Sequence, residues 1–387
     1  MKKIALVVQR CGKEVNGGSE LHCLQYAEAL SSHFEVEILT TCALDYLTWE
    51  NHYPVGPEQI GNVLVRRFAV DYPRDMEMFN RLSAEIHANI HTVSEEEQEN
   101  WLRAQGPVSS SLREYIRNSK NEYDKFIFFT YLYLPYFLLP LVREKAILVP
   151  TAHDEWPIYL GIWEKFFSLP AGFIFNTPEE KAFLKQRFPS VQFVGPVIGN
   201  GVERPVSVNP RRFRQQTGIE EPFLLYTGRI DESKGCGVLF DYFMELRNSE
   251  SSPRKLVLIG KAAMEIPDHP DIVALGFVEE QLKWDAMSAA DWLVNPSPHE
   301  SLSLVLLEAW LLGTPSLVTS ECDVLVGQSR RSNGGLWYED CATFLGIIFQ
   351  VGCLDRKLLG AQGREFVNSS YSWKIITKKI ITQVSSF

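Results

Sequence analysis

The feature that most constrains the fold is a series of short, uninterrupted apolar runs separated by segments of helical periodicity. Such runs lack the in–out alternation of a half-exposed strand and are typical of parallel strands that are covered on both faces. They recur about every 20–40 residues, which indicates βα units. The predicted strands are Lys3–Val8, Val36–Thr40, Val63–Val70, Phe126–Phe129, Ile147–Val149, Phe173–Phe175, Phe223–Thr227, Lys255–Ile259, Ile272–Leu275, Trp292–Asn295 and Ser316–Thr319.

These runs form two series, and a segment rich in glycine and proline separates them. Gly199, Gly201, Pro205 and Pro210 punctuate this linker. A length of 387 residues suits two to three domains of ordinary size. The sequence therefore predicts an α/β chain with two doubly wound, Rossmann-like domains, the first ending at residue 198. We expect the carboxyl ends of both sheets to face a central cleft.

Composition excludes several classes of protein. Apolar residues make up 45% and charged residues 22%, which is ordinary globular composition. The 48 acidic and 38 basic residues give a net charge of −10, so no nucleic-acid partner is expected. Seven widely spread cysteines without metal-ligand spacing indicate reduced thiols in a cytoplasmic protein and no metal site.

One apolar run, residues 126–142, is dense in aromatics and contains two prolines. It falls short of the ~20 residues that a membrane-spanning helix needs. We interpret it as a buried strand followed by a helix. A peripheral contact at the inner face of the membrane stays open as the second interpretation. We expect no signal peptide at the amino terminus, because its apolar stretch is too short and no cleavage site follows it.

The most informative motif is the segment 296–309, in which Glu300 and Glu308 flank a predicted helix start at Ser303. Eight residues of helix rise about 12 Å, more than the roughly 5–9.5 Å that separates the carboxylates of glycosidases. The spacing favours a ligand that lies along the helix start with one contact at each end. The backbone N–H groups of Ser303, Leu304 and Val305 would meet an anion between them. The alternative is that both glutamates are solvated surface residues.

A second motif follows the strand at 223–227. A glycine ends the strand, and Arg229 and Lys234 then lie five residues apart in a tight loop. This arrangement is typical of a phosphate clamp, with a guanidinium fork and a lysine point charge. The alternative is an ordinary surface loop.

Two weaker motifs lie in the first half. Gly17 and Gly18 precede a predicted helix whose N-cap we expect to be Ser19, so the backbone there can approach an anionic ligand. His153 lies beside two acidic residues just after a buried strand, and histidines at that position serve well in active sites. A structural role for this histidine is the alternative.

Together these segments resemble the retaining family 4 glycosyltransferases of the GT-B fold. The specific part is the E-x7-E element with the Gly-Thr-Pro at 313–315, joined to Gly-Arg-x4-Lys-Gly at 228–235. The Asn-Gly-Val hinge at 200–202, Leu-Gly-Phe-Val at 275–278 and Tyr-Ser-Trp at 371–373 support it. The opening segment is similar to bacterial exopolysaccharide enzymes. The resemblance implies a donor domain at 199–370 and a last helix, 371–387, that crosses back to the amino-terminal domain.

The resemblance also implies roles for the motif residues. Arg229 and Lys234 would bind the donor diphosphate together with the amides of Leu304 and Val305, and Gly18 would approach from the other domain. Glu308 would bind the ribose hydroxyls, and the backbone of Val278 would meet the base. Glu300 and His153 would contact the transferred sugar. Where the family has Phe-Gly after the first glutamate, this chain has Leu302 and Ser303, which leaves the identity of the sugar open.

The implied reaction is transfer of a hexosyl unit, with glucose favoured, from a UDP-sugar to a saccharide or lipid-linked saccharide acceptor in polysaccharide biosynthesis. The sequence contains no D-x-D element, with which other glycosyltransferases hold a metal on the diphosphate. We therefore expect no metal and no cofactor, since the UDP-sugar is a substrate. The alternatives are a sugar-nucleotide epimerase or hydrolase, and a non-catalytic nucleotide-sugar-binding subunit. Four aromatic residues could stack on an acceptor sugar, although core packing is their commoner role: Trp49, Tyr53, Trp101 and Trp156.

Overall fold

The chain folds into two α/β units. The computed structural model describes residues 2–15, 17–249 and 253–386. One unit contains the chain up to Asn200 together with its end from Ile376, and the other is Gly201–Ile375. The sequence analysis had placed this boundary after residue 198 and the returning helix at 371–387.

The first unit is built on a seven-stranded sheet with the order β3-β4-β2-β1-β5-β6-β7. All neighbouring strands are parallel except β3, which pairs with β4 in antiparallel register. The central strand β1 places Leu6 opposite Ile38 on one side and Ile127 on the other. The strands are β1 (Lys3–Val7), β2 (Glu35–Thr41), β3 (Gly56–Ile60), β4 (Val63–Phe68), β5 (Lys125–Phe129), β6 (Ala146–Val149) and β7 (Gly172–Phe173).

Four helices of this unit begin after a residue whose side chain caps the first turn. Asp75, Ser94, Ser109 and Thr177 each accept a bond from a backbone N–H in the first turn, which satisfies a donor that the helix leaves open. The helices are α1 (Gly18–Leu30), α2 (Met76–Ala88), α3 (Glu95–Gln105), α4 (Ser110–Ser119), α5 (Leu134–Leu138), α6 (Ile162–Phe167) and α7 (Pro178–Arg187).

The second unit is built on a six-stranded, fully parallel sheet with the order β10-β9-β8-β11-β12-β13. Its strands are β8 (Phe223–Thr227), β9 (Lys255–Ile259), β10 (Ile272–Gly276), β11 (Trp292–Asn295), β12 (Ser316–Thr319) and β13 (Gly335–Tyr338). Its helices are α8 (Pro210–Thr217), α9 (Cys236–Ser249), α10 (Glu280–Ala289), α11 (Leu304–Leu312), α12 (Asp323–Ser332), α13 (Cys341–Gln350) and α14 (Cys353–Ser370). Helix α15 (Trp373–Ser386) begins in this unit, and from Ile376 onward it belongs to the first unit, where its Gln383 donates to the carbonyl of Phe173.

Two doubly wound parallel sheets confirm the predicted fold class. The apolar run at 126–142 forms β5, α5 and a short 3₁₀ turn, Leu139–Leu141, and most of its side chains are buried. No helix among the described residues is long and apolar enough to cross a membrane.

The sequence analysis missed β3 and β13, and several of the predicted element ends differ from those of the structure. The β3 segment, Gly-Pro-Glu-Gln-Ile, is an exposed edge strand without an apolar run. Strand β7 is shorter than predicted, and β4 ends at Phe68. Helix α1 begins one residue before the predicted cap, so that Gly17, not Ser19, is its N-cap residue.

Candidate functional site

The loops that follow β8 and β11 bring two predicted site residues, Lys234 and Glu300, into contact in the second unit. The Lys234 Nζ donates to Glu300 Oε1 over 2.8 Å and lies 3.4 Å from the Ser297 hydroxyl. The two loops approach so closely that a Cβ on Gly235 would lie 2.3 Å from the carbonyl oxygen of Pro296. Gly235 also has a φ of +72°, so this contact depends on glycine for two reasons.

Arg229 is held in the same loop by an acidic neighbour. Its Nε donates to Asp231 Oδ2, and its Nη2 lies 3.3 Å from the Ser233 hydroxyl. Burial would raise the pKa of the Asp231 carboxyl, but hydrogen bonds from Ser233 and the charge of Arg229 outweigh it, and the net shift is downward. The carboxylate therefore stays ionised and orients the guanidinium, whose side chain is 41% exposed.

The start of α11 lies directly after Glu300 in the chain. Ser303 is the N-cap residue, and its N–H is not available to a ligand, since it donates to the buried Gln328 Oε1 over 3.0 Å. Its hydroxyl accepts from Asn295 over 3.1 Å. Ser303 is thus fixed by protein contacts, while Leu304 and Val305 begin the first turn, where no carbonyl one turn back accepts their amides.

Glu308 lies one turn further along α11 and pairs with a different lysine. Lys283 of α10 donates to both of its carboxylate oxygens over 3.1 Å. Burial raises the pKa of Glu308, and the charge of Lys283 opposes that rise. Because Glu300 and Glu308 each have a separate lysine, they do not form a shared proton-transfer pair. Val278, the predicted base contact, follows β10 in a loop where Phe277 is 74% exposed.

In the first unit, the two glycines before α1 differ in what they require. A Cβ on Gly17 would lie 2.2 Å from Glu20 Oε2, whereas a Cβ on Gly18 would meet nothing within 4 Å. Glu20 in turn forms a buried ion pair with Arg10 at 2.7 Å. A side chain at position 17 would therefore displace the Glu20 carboxylate, whereas the space beside Gly18 is open.

His153 follows β6 and is half-buried. Its Nδ1 lies 3.8 Å from Glu155 Oε1, which also accepts from the Tyr131 hydroxyl over 3.2 Å. The neighbouring Asp154 accepts from the Tyr159 hydroxyl over 2.7 Å. His153 and Asp154 thus have separate partners.

Glu180, at the start of α7, is a site residue that the sequence analysis missed. It is 1% exposed, and its two oxygens accept from the N–H of Ala152 over 2.7 Å and of Asn176 over 2.6 Å. Burial raises its pKa to about 8, although these N–H donors oppose the rise. It fixes the backbone just before His153. The sequence pattern that could have identified Glu180 is its Thr-x-x-Glu spacing from Thr177, which is typical of a helix start.

Other parts of the site had no sequence signal. Lys283 and Gln328 contact the predicted residues Glu308 and Ser303 only through the tertiary fold, whereas Asp231 contacts Arg229 within one loop. The aromatics considered as sugar platforms pack against protein. Trp49 and Trp101 are 1% exposed, Tyr53 lies under Arg67 at 4.0 Å, and Trp156 stacks on His87 at 5.3 Å. Among the described residues, no cluster of histidine, cysteine and acidic side chains has the geometry of a metal site.

Comparison with known proteins finds a family match within the second unit and several relatives of the chain. Residues 221–344 match the family "Glycosyl transferases group 1". An uncharacterized glycosyltransferase of Methanocaldococcus jannaschii is 29% identical over 181 residues. That match covers 42% of each chain, so it spans less than half of the relative's length.

Solved structures are similar over the whole chain. Sucrose-phosphate synthase from Thermosynechococcus elongatus has a TM-score of 0.73 at 18% identity and covers 100% of this chain and 99% of its own. Anabaena HepE in complex with UDP and glucose has a TM-score of 0.70 at 16% identity, with both chains covered fully. At these identities the likeness shows the fold, which is GT-B, and leaves open whether this chain is equivalent to HepE.

Proposed function

We propose that this glycosyltransferase of the GT-B fold, whose residues 221–344 match the group 1 family, transfers a hexosyl unit from a UDP-sugar with retention of configuration. The acceptor in this proposal is a hydroxyl of a saccharide or lipid-linked saccharide in polysaccharide biosynthesis. Glucose is the favoured sugar, in keeping with the structural neighbour that binds UDP and glucose. The protein is proposed to act in the cytoplasm, and a peripheral contact with the membrane remains part of the proposal.

The observation that carries the proposal is the contact of Lys234 with Glu300, which joins the loop after β8, where Arg229 also lies, to the loop that leads into α11. Breaking the anomeric C–O bond places negative charge on the departing diphosphate. Two cations and the amides of Leu304 and Val305 would stabilise that charge where it develops, and such pre-oriented electrostatics is usually the largest part of catalysis.

The carboxylates of this unit have complementary roles in the proposal. Asp231 keeps the Arg229 guanidinium oriented before the donor arrives. Glu300 holds Lys234 at 2.8 Å and would exchange part of that contact for a hydroxyl of the transferred sugar. Glu308, kept in place by Lys283, would accept bonds from the ribose, and the Val278 backbone would meet the base. We propose that the step needs neither a metal ion nor a cofactor.

His153 and Gly18 belong to the first unit, and the resemblance supplies their roles. A neutral imidazole can donate one hydrogen bond to a sugar hydroxyl and accept another, which would orient the sugar for attack on the face that the diphosphate leaves. Gly18 would let the backbone approach the diphosphate, in keeping with the open space beside it. Asp154, which accepts from Tyr159, has no covalent role in the proposal.

The test is a screen of nucleotide-sugar donors that measures release of free nucleotide with and without saccharide acceptors. We expect UDP-glucose to give acceptor-dependent release of UDP and a glycosylated product. Arg229→Ala should abolish most turnover, and Arg211→Ala, an exposed arginine on α8, is the matched control. Product formation without an acceptor would favour the epimerase or hydrolase, and donor binding without any product would favour the non-catalytic subunit.

A further inference from the structure

A group of charged and aromatic side chains lies beyond the carboxyl edge of the first sheet. We call it the Arg74 cluster, and it consists of Arg74, Trp49, Phe79 and Tyr133. These residues follow β2, β4 and β5 or begin α2. Glu155, which lies beside His153, is near enough for its charge to act on Tyr133. Since parallel strands end at the same edge, segments from 25 to 84 residues away from Trp49 in the chain meet here.

Arg74 is anchored in one orientation. Its guanidinium carbon lies 5.0 Å from the ring centroid of Trp49 and 4.7 Å from that of Phe79. Its Nε donates to the carbonyl of Gln105 over 2.6 Å, and the Trp49 indole donates to the same carbonyl. Within the described chain, its two terminal nitrogens have no hydrogen-bond partner.

The lack of an acidic partner sets Arg74 apart from the other arginines of this sheet. Arg10 pairs with Glu20 at 2.7 Å, Arg66 with Glu37 at 2.6 Å and Arg67 with Glu58 at 2.8 Å. A half-buried guanidinium without a carboxylate is electrostatically costly. Burial lowers the pKa of Arg74 to about 10, which leaves it charged at neutral pH.

The acidic group that acts on Arg74 from a distance is Asp45. Its Oδ1 accepts from the backbone N–H groups of Leu47 and Thr48 over 2.7 and 3.1 Å, so it is engaged in a turn. Arg10, whose charge Glu20 balances, adds no net charge. Asp45 keeps its charge in that turn, and the charges of Glu155 and Glu20 act on Tyr133. What the cluster offers an anion is therefore the charged Arg74 guanidinium with open N–H donors, and not a net positive field.

Tyr133 provides a second polar group at the same place. Its ring lies 5.5 Å from that of Trp49, and among described residues its hydroxyl has no hydrogen-bond partner. Burial raises its pKa to about 12, so the hydroxyl is a neutral donor.

The backbone around the cluster is strained. Trp49 and Tyr133 have φ values of +57° and +66°, and Thr130 and Thr151, after β5 and β6, have +63° and +49°. Each such residue costs on the order of 1–3 kcal/mol, and this strain gathers at sites that bind ligands. Four strained residues at one sheet edge are an observation independent of charge.

We propose that Arg74 and Tyr133 form a subsite for an oxyanion carried by the saccharide acceptor, either a phosphate or a carboxylate. This inference rests on the proposed function, which it extends by naming the chemical class of the acceptor. The two terminal nitrogens of the anchored guanidinium offer parallel N–H donors that match two oxygens of such a group. The Tyr133 hydroxyl would donate to a third oxygen or to the sugar ring.

The experiment compares the binding of three probes to the full-length protein at constant ionic strength: glucose, glucose 6-phosphate and glucuronate. Calorimetry measures each affinity, with UDP present and absent. We expect one of the two anions to bind at least tenfold more tightly than glucose. A preference for glucose 6-phosphate identifies the phosphate, and a preference for glucuronate identifies the carboxylate.

Variants then assign the preference to its residues. Arg74→Gln should lose at least tenfold in affinity for the preferred anion, while Arg74→Lys, which keeps the charge and loses the fork, should lose less. Arg81→Gln, at an exposed arginine on α2, the helix that follows Arg74, should change nothing. Tyr133→Phe should weaken binding of the anion and leave the affinity for UDP unchanged.

Equal affinity for the neutral and anionic sugars in the wild-type protein would overturn the inference, as would an anion preference that survives in both Arg74 variants. UDP affinity separates this failure from failure of the proposed function. If UDP and UDP-glucose bind and only the anion preference is missing, the donor site stands and the acceptor subsite is wrong. If neither donor binds, the proposed function itself is wrong.

Discussion

Replacing Glu180 by glutamine should change how the stability of the protein depends on pH. The Glu180 carboxyl is buried, and burial raises its pKa from 4.5 to about 8. Between these values the folded protein keeps a proton that the unfolded chain has released. Stability therefore falls as pH rises through this window, because the charged carboxylate is penalised only in the folded state. Glutamine is neutral at every pH and removes this dependence.

The two pKa values give the size of the effect. Integrating the difference in bound protons from pH 5 to pH 8 gives a loss of roughly 3–4 kcal/mol in the unfolding free energy of the wild-type protein relative to Glu180→Gln, at about 1.36 kcal/mol per pKa unit. The two N–H groups that donate to Glu180, from Ala152 and Asn176, are already included, since they act on the same pKa.

The assay is urea unfolding followed by tryptophan fluorescence at several pH values, with the difference in unfolding free energy between the two proteins plotted against pH. Taking the difference cancels other titrating groups. Glu114→Gln, an exposed glutamate on α4, is the control and should give a flat difference. If the curves for wild type and Glu180→Gln run parallel from pH 5 to pH 8, the carboxyl is ionised throughout and the reasoning is refuted.

The remaining predictions concern the donor site. Arg229→Ala and Lys234→Ala should each lower kcat/KM by a factor that corresponds to a loss of roughly 2–4 kcal/mol in transition-state stabilisation. Near-normal kinetics in both variants would refute the proposal that these residues clamp the diphosphate. Calorimetry should show that Glu308→Gln weakens UDP and the UDP-sugar alike, whereas Glu300→Gln spares UDP, and equal losses of UDP affinity would show that the roles are misassigned. Turnover should persist in excess EDTA; a loss that Mn²⁺ restores would contradict metal independence. Turnover of His153→Ala should fall 10²-fold or more, about 2.7 kcal/mol, with UDP affinity little changed, and a folded variant of normal rate would exclude the proposed role.

Local sequence was enough to predict the bounds of four of the six strands of the second sheet and the motif loops after them. These strands are β8, β9, β11 and β12, and each is an apolar run that ends at, or just before, a polar or glycine residue. The edge strands β3 and β13 were missed. Strand β3 is largely exposed, and an edge strand is buried on fewer sides, so its sequence need not be apolar throughout. Strand β13, Gly-Leu-Trp-Tyr, is mostly apolar, and its pattern was overlooked.

The contacts of each motif residue depend on the tertiary structure. Lys234 and Glu300 are 66 residues apart in the chain, and Glu308 and its partner Lys283 are 25 apart. Such pairs form because parallel strands end at one edge, and the strand order that brings their loops together is not written in any local pattern. Whether an arginine has an acidic partner also depends on the tertiary structure. Arg10 pairs with Glu20, whereas Arg74 pairs with no carboxylate of the described residues, because different loops lie beside the two arginines.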